Sequence, residues 1–269
     1  MKKMTLREVQ EFSIILLKEF HSFCVDHNLH YSLAYGSLIG AVRHQGFIPW
    51  DDDIDVMMPR PDYDKFIKLY TDNDNFACLA YEKGNSLFAY ARLVDLKRTY
   101  AKPGTPWSNM DTGIWIDVFP IDGVENDKVK FLETVKEIYP IWCKTVYARQ
   151  AMGGLSFKKS LKWNINRLKK MILYRNKYSV YFNKQMEACK RFCYSECSYV
   201  SNLSHMLYAS RSFFKKEMFE KYTDIQFEKN KFKCIDDYHS FLTMIYGDYM
   251  TLPPAEKRKG HISHMYFWK

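Results

Sequence analysis

No stretch of this 269-residue chain is apolar and uncharged for long enough to cross a bilayer as a helix. The N-terminus lacks the unbroken apolar core of a secretion signal, because Arg7, Glu8, Glu11, Lys18 and Glu19 interrupt it. A cytoplasmic protein is the expectation. The seven cysteines form an odd set, and without a secretion signal they are expected as reduced, largely buried thiols. Cys189, Cys193 and Cys197 fall at i, i+4 and i+8 along one predicted helix. A zinc site there would need a fourth ligand such as His205, and the spacing matches no familiar zinc pattern. Internal repeats and low-complexity tracts are also missing. The last absence is local. From Ile138 to Met186 there is no Asp or Glu, while Lys144, Arg149, Lys158, Lys159, Lys162, Arg167, Lys169, Lys170, Arg175, Lys177 and Lys184 contribute eleven positive charges. Without that segment the rest of the chain falls from the overall +9 to about −2. Charge so concentrated points to an anionic partner for one surface, such as an anionic membrane.

Apolar residues at 47% and aromatics at 17% exclude disorder, and the length suffices for one sizeable core, alone or with a helical appendage. Leu6, Val9, Leu16, Leu17, Phe20 and Cys24 mark an amphipathic helix running to about Asp26, capped by Thr5 with Glu8 three residues on. Strands are predicted near Tyr31–Tyr35, Ile54–Met57 and Ile114–Phe119, with apolar runs at Phe76–Tyr81 and Phe88–Val94. Helices are predicted near Leu38–His44 and Asp62–Tyr70. Lys102–Asn109 reads as a loop able to cover a ligand, with Trp107 at its tip. After Asp122-Gly123 the pattern turns helical: Asp127–Gln150, a helix from near Ser156 with Leu161, Ile165, Leu168 and Ile172 on one face, and Tyr178–Cys197. A final helix, Asp237–Tyr246, ends at Gly247. The fold class expected is α+β. A mixed sheet with flanking helices would occupy residues 1–123, a basic helical subdomain 124–235, and a C-terminal helix and tail 236–269, in one integrated unit.

The densest chemistry lies between Tyr35 and Arg60, YGSLIGAVRHQGFIPWDDDIDVMMPR. Asp51, Asp52, Asp53 and Asp55 place four carboxylates within five residues, between apolar flanks. Acids this crowded repel one another and resist burial unless a cation neutralises them. On a strand, Asp53 and Asp55 would project from one face about 7 Å apart, within reach of one hard cation such as Mg²⁺. Upstream, the Gly36-Ser37 turn between a predicted strand and helix offers backbone N–H groups to a phosphate. Arg43 is placed to pair with phosphate oxygens, and His44 is either a phosphate contact or a structural hydrogen bond. In GIWIDVFP, Asp117 sits between Trp115 and Phe119 on one strand face, a costly position unless it is paired or bound to metal.

GSLIGAVRHQGFIPWDDDIDV, then IWIDVFPIDG, then the late YGDYMTLPPAEKR, resembles the LicD family, related to fukutin and fukutin-related protein. These belong to the DNA polymerase beta-like nucleotidyltransferase superfamily. The resemblance runs from near Met4 to near His261, with no matching motif between roughly residues 125 and 230. It implies transfer of a phospho-substituent, typically phosphocholine, from a CDP-activated donor to a cell-surface glycan or its lipid-linked precursor, with CMP leaving. It also implies Asp53, Asp55 and Asp117 as catalytic metal ligands for Mg²⁺ or Mn²⁺, and Gly36 and Ser37 as the nucleotide-phosphate turn. Asp51 matches the first acid of the family's acidic block. The tail is placed near the site, where Arg258 would grip phosphate. A quaternary ammonium favours an aromatic cage, for which Trp50, Trp107, Trp115, Tyr246 and Tyr249 are candidates. Transfer of another phospho-alditol is the nearest alternative. A glycosyltransferase with a D-x-D metal motif would share Asp53 and Asp55 but would not need the Gly-Ser turn or Asp117. A nucleic-acid binder would explain the basic segment, yet no recognition motif is present, so nucleic acid is not an expected partner.

Overall fold

The computed structural model describes residues 1–103, 113–151, 160–174, 176–258, 260 and 264–269. Trp107, Lys158, Lys159, Arg175 and His261 lie outside the described residues.

Helix α1 (Leu6–Asp26) begins where the sequence signals it: Thr5 and Glu8 form a reciprocal capping box that satisfies first-turn N–H groups. Strand β1 (Ser32–Leu33) leads into helix α2 (Tyr35–His44), strand β2 (Asp55–Pro59) and helix α3 (Arg60–Leu69). Strands β3 (Phe76–Leu79), β4 (Ala91–Asp95), β5 (Thr99–Pro103) and β6 (Trp115–Val124) follow. Lys102 and Pro103, expected in a loop, instead end β5. The helices α4 (Lys128–Ala151), α5 (Leu161–Tyr174) and α6 (Tyr178–Cys189) come next, then β7 (Tyr199–Ser201), β8 (Phe214–Lys215), β9 (Tyr222–Phe227) and β10 (Asn230–Ile235). Helix α7 (Tyr238–Tyr246) stops at Gly247, whose φ of +72° suits glycine, and β11 (His264–Trp268) pairs with β5.

The fold is α+β. A mixed sheet runs β1-β2-β6-β4-β3, with β2 and β6 parallel and the other pairs antiparallel; β7 and β8 extend it beyond the far end of β6. β9 and β10 form a separate hairpin. Strand β6 is central and buried on both faces, so Trp115, Ile116, Val118 and Phe119 all enter the core around Asp117. The main core joins α1, this sheet, α2, α3, the hairpin and α7. A smaller one, built on Phe131, Ile138, Cys189 and Leu203, joins α4 and α6 to the segment after β7.

Two expectations change in the second half. The helical reading holds for Lys128–Ala151, Leu161–Tyr174 and Tyr178–Cys189, but from Tyr199 to Ile235 the chain returns to short strands. Helix α6 ends at Cys189, so Cys193 and Cys197 do not share a helical stripe with it. The reason lies at Gly123. Phe192 bridges to it, and a Cβ there would stand 2.9 Å from Cys197 Sγ and 3.2 Å from the Phe192 carbonyl oxygen. The chain must leave the helix to pack this closely on β6.

Candidate active site

Strand register brings the acids together. Asp55 on β2 stands opposite Asp117 on β6, and Arg92 on β4 stands opposite Asp117 from the other side. Residues directly opposite in a ladder project to the same face, so Asp55, Asp117 and Arg92 form a row across three strands. Arg92 Nε donates to Asp117 Oδ1 at 2.8 Å, and its guanidinium lies 3.7 Å from the Phe88 ring centre and 4.5 Å from that of Trp115. Asp53 sits just before β2 rather than on it. It nevertheless lines, with Asp51, Asp55 and Asp117, one cleft of about 430 Å³. Burial, together with the charges of Asp53, Asp117 and Asp51, holds the Asp55 carboxyl well above the usual carboxylate range.

The Gly36-Ser37 turn belongs to α2, which starts at Tyr35 and not at Leu38. Tyr35 opens the helix with a φ of +47°, a sparsely populated conformation for a side-chain-bearing residue, and its hydroxyl accepts from Asn202 Nδ2 at 2.8 Å. Ala34 provides no side-chain cap, and the first two residues of α2, Tyr35 and Gly36, line the cleft. Gly36 is required by close approach: a Cβ there would stand 2.8 Å from Asp51 Oδ2. Ser37 is buried, and its Oγ accepts from the Asp55 N–H at 2.9 Å, which fixes the first residue of β2.

Arg43 donates through Nε to His44 Nε2 at 3.0 Å and through a terminal nitrogen to the Tyr249 carbonyl at 2.8 Å. It therefore ties α2 to the segment after α7. Burial and the nearby Arg258 cation both lower the Arg43 pKa, and burial with Arg43 lowers that of His44. Arg258 donates to the Pro253 carbonyl at 2.8 Å and lies 5.8 Å from the Trp50 ring centre. Of the aromatic candidates, Trp50 and Tyr246 line the cleft. Trp115 packs against Tyr266 beneath Arg92, and the Tyr249 hydroxyl bonds to His239 Nδ1 at 2.9 Å. Sequence reasoning missed Arg92, Tyr35, Tyr90, Phe119, His205 and Tyr208. The signal for Arg92 was a cation inside the largely apolar strand ARLVD; His205 and Tyr208 arrive from far along the chain. Tyr90, Phe119 and Tyr208 add aromatic walls, and burial lowers the His205 pKa so that the imidazole stays neutral.

Among the described residues, no three His, Cys, Asp or Glu side chains are already gathered to hold a metal ion. One oxygen of Asp117 is committed to Arg92. The donor set nonetheless suits a hard divalent cation, because Asp51, Asp53, Asp55 and Asp117 line one cleft, and Arg92 is ion-paired with Asp117. The fit is of chemistry and position rather than of a finished cage.

Residues 28–137 match the family profile described as LicD/FKTN/FKRP, nucleotidyltransferase domain. The chain is 33% identical, over 270 residues covering 97% of each chain, to the lipopolysaccharide cholinephosphotransferase LicD of Haemophilus influenzae. The chain is an enzyme of the LicD family. Shorter similarities, 41% over 56 residues and 49% over 41, link it to uncharacterised proteins of Rickettsia typhi and Rickettsia prowazekii. They cover 20% and 15% of this chain. The family profile spans Tyr35 to Asp117, and with them the turn, the acidic block and the central strand.

Proposed function

We propose that this LicD-family enzyme transfers phosphocholine from a CDP-linked donor to a hydroxyl of a cell-surface glycan or its lipid-linked precursor, releasing CMP. The full-length likeness to a lipopolysaccharide cholinephosphotransferase carries the reading. An acidic cleft walled by Tyr35, Trp50, Tyr90, Tyr208 and Tyr246 supports it, since aromatic faces and carboxylates both favour a quaternary ammonium.

In this reaction the acceptor oxygen forms a bond to the phosphorus bearing choline, the bond from that phosphorus to the bridging oxygen breaks, and CMP takes the electron pair. Asp53, Asp55 and Asp117 would hold Mg²⁺ or Mn²⁺, which supplies positive charge to the donor's phosphate oxygens and the leaving group. The N-terminus of α2 would accept a phosphate, and Arg258 and Arg43 would add cationic charge on the nucleotide side. Arg92 holds Asp117 in place. His205, neutral and lining the cleft, takes the proton of the acceptor hydroxyl. A panel of CDP-linked donors, read by CMP release with and without acceptor glycan, tests the function. CDP-choline should be used with divalent cation, and Asp53→Asn and Asp55→Asn should each lower turnover by about 10³-fold or more. Parental turnover in both variants, or no use of any CDP donor, refutes it.

The same reading places the enzyme at the cytoplasmic face of an anionic membrane, as a peripheral protein. Among the described residues no helix is long and apolar enough to cross one. On α5, however, the apolar stripe points to solvent: Leu161, Ile165, Leu168 and Ile172 are 77%, 45%, 47% and 72% exposed. Lys162 and Lys169 are exposed on the same helix. An apolar stripe flanked by lysines is the pattern of a helix lying in a lipid interface.

A further inference from the structure

Beside the catalytic cleft lies a smaller cavity of about 60 Å³, and Tyr90 and His205 line both. Arg149, near the end of α4, reaches into it. Its guanidinium lies 4.1 Å from the Phe88 ring centre, on the same ring that Arg92 approaches to 3.7 Å. The two cations differ in their partners. Arg92 is neutralised by Asp117, whereas Arg149 has no carboxylate within ion-pairing distance among the described residues. The hydrogen bond Arg149 makes is long, 3.4 Å to the Leu87 carbonyl, and that oxygen also accepts from the Tyr178 hydroxyl at 2.6 Å. Arg149 Nε is enclosed and has no hydrogen-bond partner among the described residues. Burial and the neighbouring Arg92 cation both lower its pKa. An enclosed guanidinium without a counter-ion is costly, so a fold that keeps one next to a reaction site has a use for it.

The cavity also has a second donor and enough room. Gln185 is buried in its wall and gives its amide nitrogen to the Ser204 carbonyl at 3.2 Å; that nitrogen carries another N–H. One water needs roughly 10–15 Å³ of such volume, so the space takes about four water-sized atoms, the size of a phosphate or carboxylate group. We propose that this cavity is an oxyanion subsite in which Arg149 and Gln185 hold a phosphate or carboxylate carried by one of the two substrates. The assignment to a substrate rests on the transferase reading; the anion site itself does not.

Crystals of the metal-free full chain soaked in selenate, an anomalously scattering oxyanion, test the site without any activity measurement. A selenate within hydrogen-bonding distance of Arg149 Nε is expected, and its loss in Arg149→Gln, with Arg149→Lys as the charge-retaining control. Selenate bound elsewhere but not at Arg149 overturns the subsite. Steady-state kinetics then separate the two sources. Arg149→Gln should raise the KM of one substrate at least tenfold while kcat changes less; a raised donor KM assigns the group to phosphocholine, a raised acceptor KM to an acidic group on the glycan. If neither KM moves, the assignment to a substrate is wrong. Selenate at Arg149 in an enzyme that uses no CDP donor would instead overturn the transferase reading and leave the subsite standing.

Discussion

Gly36→Ala separates the geometry of the site from the stability of the fold. Its added methyl would meet Asp51 Oδ2 at 2.8 Å, where ordinary contact begins at 3.4 Å. The main chain of Asp51 is held at both ends: its N–H donates to the Ile48 carbonyl at 2.9 Å, and its carbonyl accepts from Gln10 Nε2 at 2.9 Å. The carboxylate must therefore move, by about 0.6 Å, the difference between those two contact distances. A misplacement of 1 Å near a reaction site costs on the order of 10²-fold in rate, so roughly a tenfold loss of transfer is expected here. Stability should run the other way, because alanine is favoured over glycine in a helix by up to about 1 kcal/mol. Gly40→Ala in the same helix is the contrast. Its methyl would lie 2.4 Å from the Gly46 carbonyl oxygen and 3.1 Å from the Ile48 nitrogen, both backbone atoms that cannot rotate away. That variant should lose about 1–3 kcal/mol of stability, the range of overpacking. CMP release measures the first property and urea unfolding the second. A Gly36→Ala enzyme with parental turnover, or with a rate loss that follows a loss of stability, would refute the reasoning.

Four further expectations follow from the same geometry. Arg43→Ala should weaken CDP-donor binding by roughly 1.5–3 kcal/mol, the scale of a charged hydrogen bond; unchanged affinity by calorimetry would confine Arg43 to its bond with the Tyr249 carbonyl. The pKa of His205, which faces Asp117, Arg92, Arg149 and Tyr90, is depressed by burial, so neutral imidazole persists as pH falls and the acid limb of kcat should lie below the ordinary imidazole value of about 6.5. His205→Asn should lower kcat by about 10²–10⁴-fold and remove that limb, and an unaltered pH profile would exclude the proton-acceptor role. Asp122→Ala leaves Arg60, whose Nε donates to Asp122 Oδ1 at 2.5 Å in the interior, without its main counter-ion, and urea titration should show a loss of about 3–5 kcal/mol; under 1 kcal/mol would mean the pair is not what holds α3 to β6. Sedimentation with phosphatidylcholine vesicles should require added phosphatidylglycerol, weaken with salt, and fail when Leu161, Ile165, Leu168 and Ile172 become Ser; a variant that still sediments rules out α5 as the contact.

The parts legible in the sequence are those written locally. The Thr5–Glu8 box, the apolar strand around Asp117 and the stop at Gly247 each depend on residues close together in the chain, and each stands where it was expected. Tyr35 shows where local reading fails. Gly-Ser after an apolar run reads as a turn, but the chain enters the helix three residues earlier by putting Tyr35 at φ +47°, held there by a bond from Asn202 that no local rule anticipates. On α5 the period of Leu161, Ile165, Leu168 and Ile172 was readable, while the side on which it faces depends on which flank α4 covers. Period gives a stripe; tertiary packing gives its direction.

Register is the quantity that mattered most and could be read least. Asp55, Asp117 and Arg92 belong to three strands far apart in sequence, and a slip of one residue in either pairing would send a partner to the opposite face. The alternation of Trp115, Asp117 and Phe119 announced an acid that needed a partner, and the sequence supplied a candidate in the metal. It did not supply the other one. Because β6 is buried on both faces, Asp117 takes what its neighbouring strands provide: a second acid from β2 and a guanidinium from β4. Arg92 thus compensates Asp117 directly, while Asp55, pushed up by burial and by its acidic neighbours, keeps the larger demand for added positive charge. That division predicts an order between these two acids: Asp55 should contribute more to cation binding than Asp117, so Asp55→Asn should weaken Mg²⁺ affinity by calorimetry more than Asp117→Asn, and the reverse order would refute it.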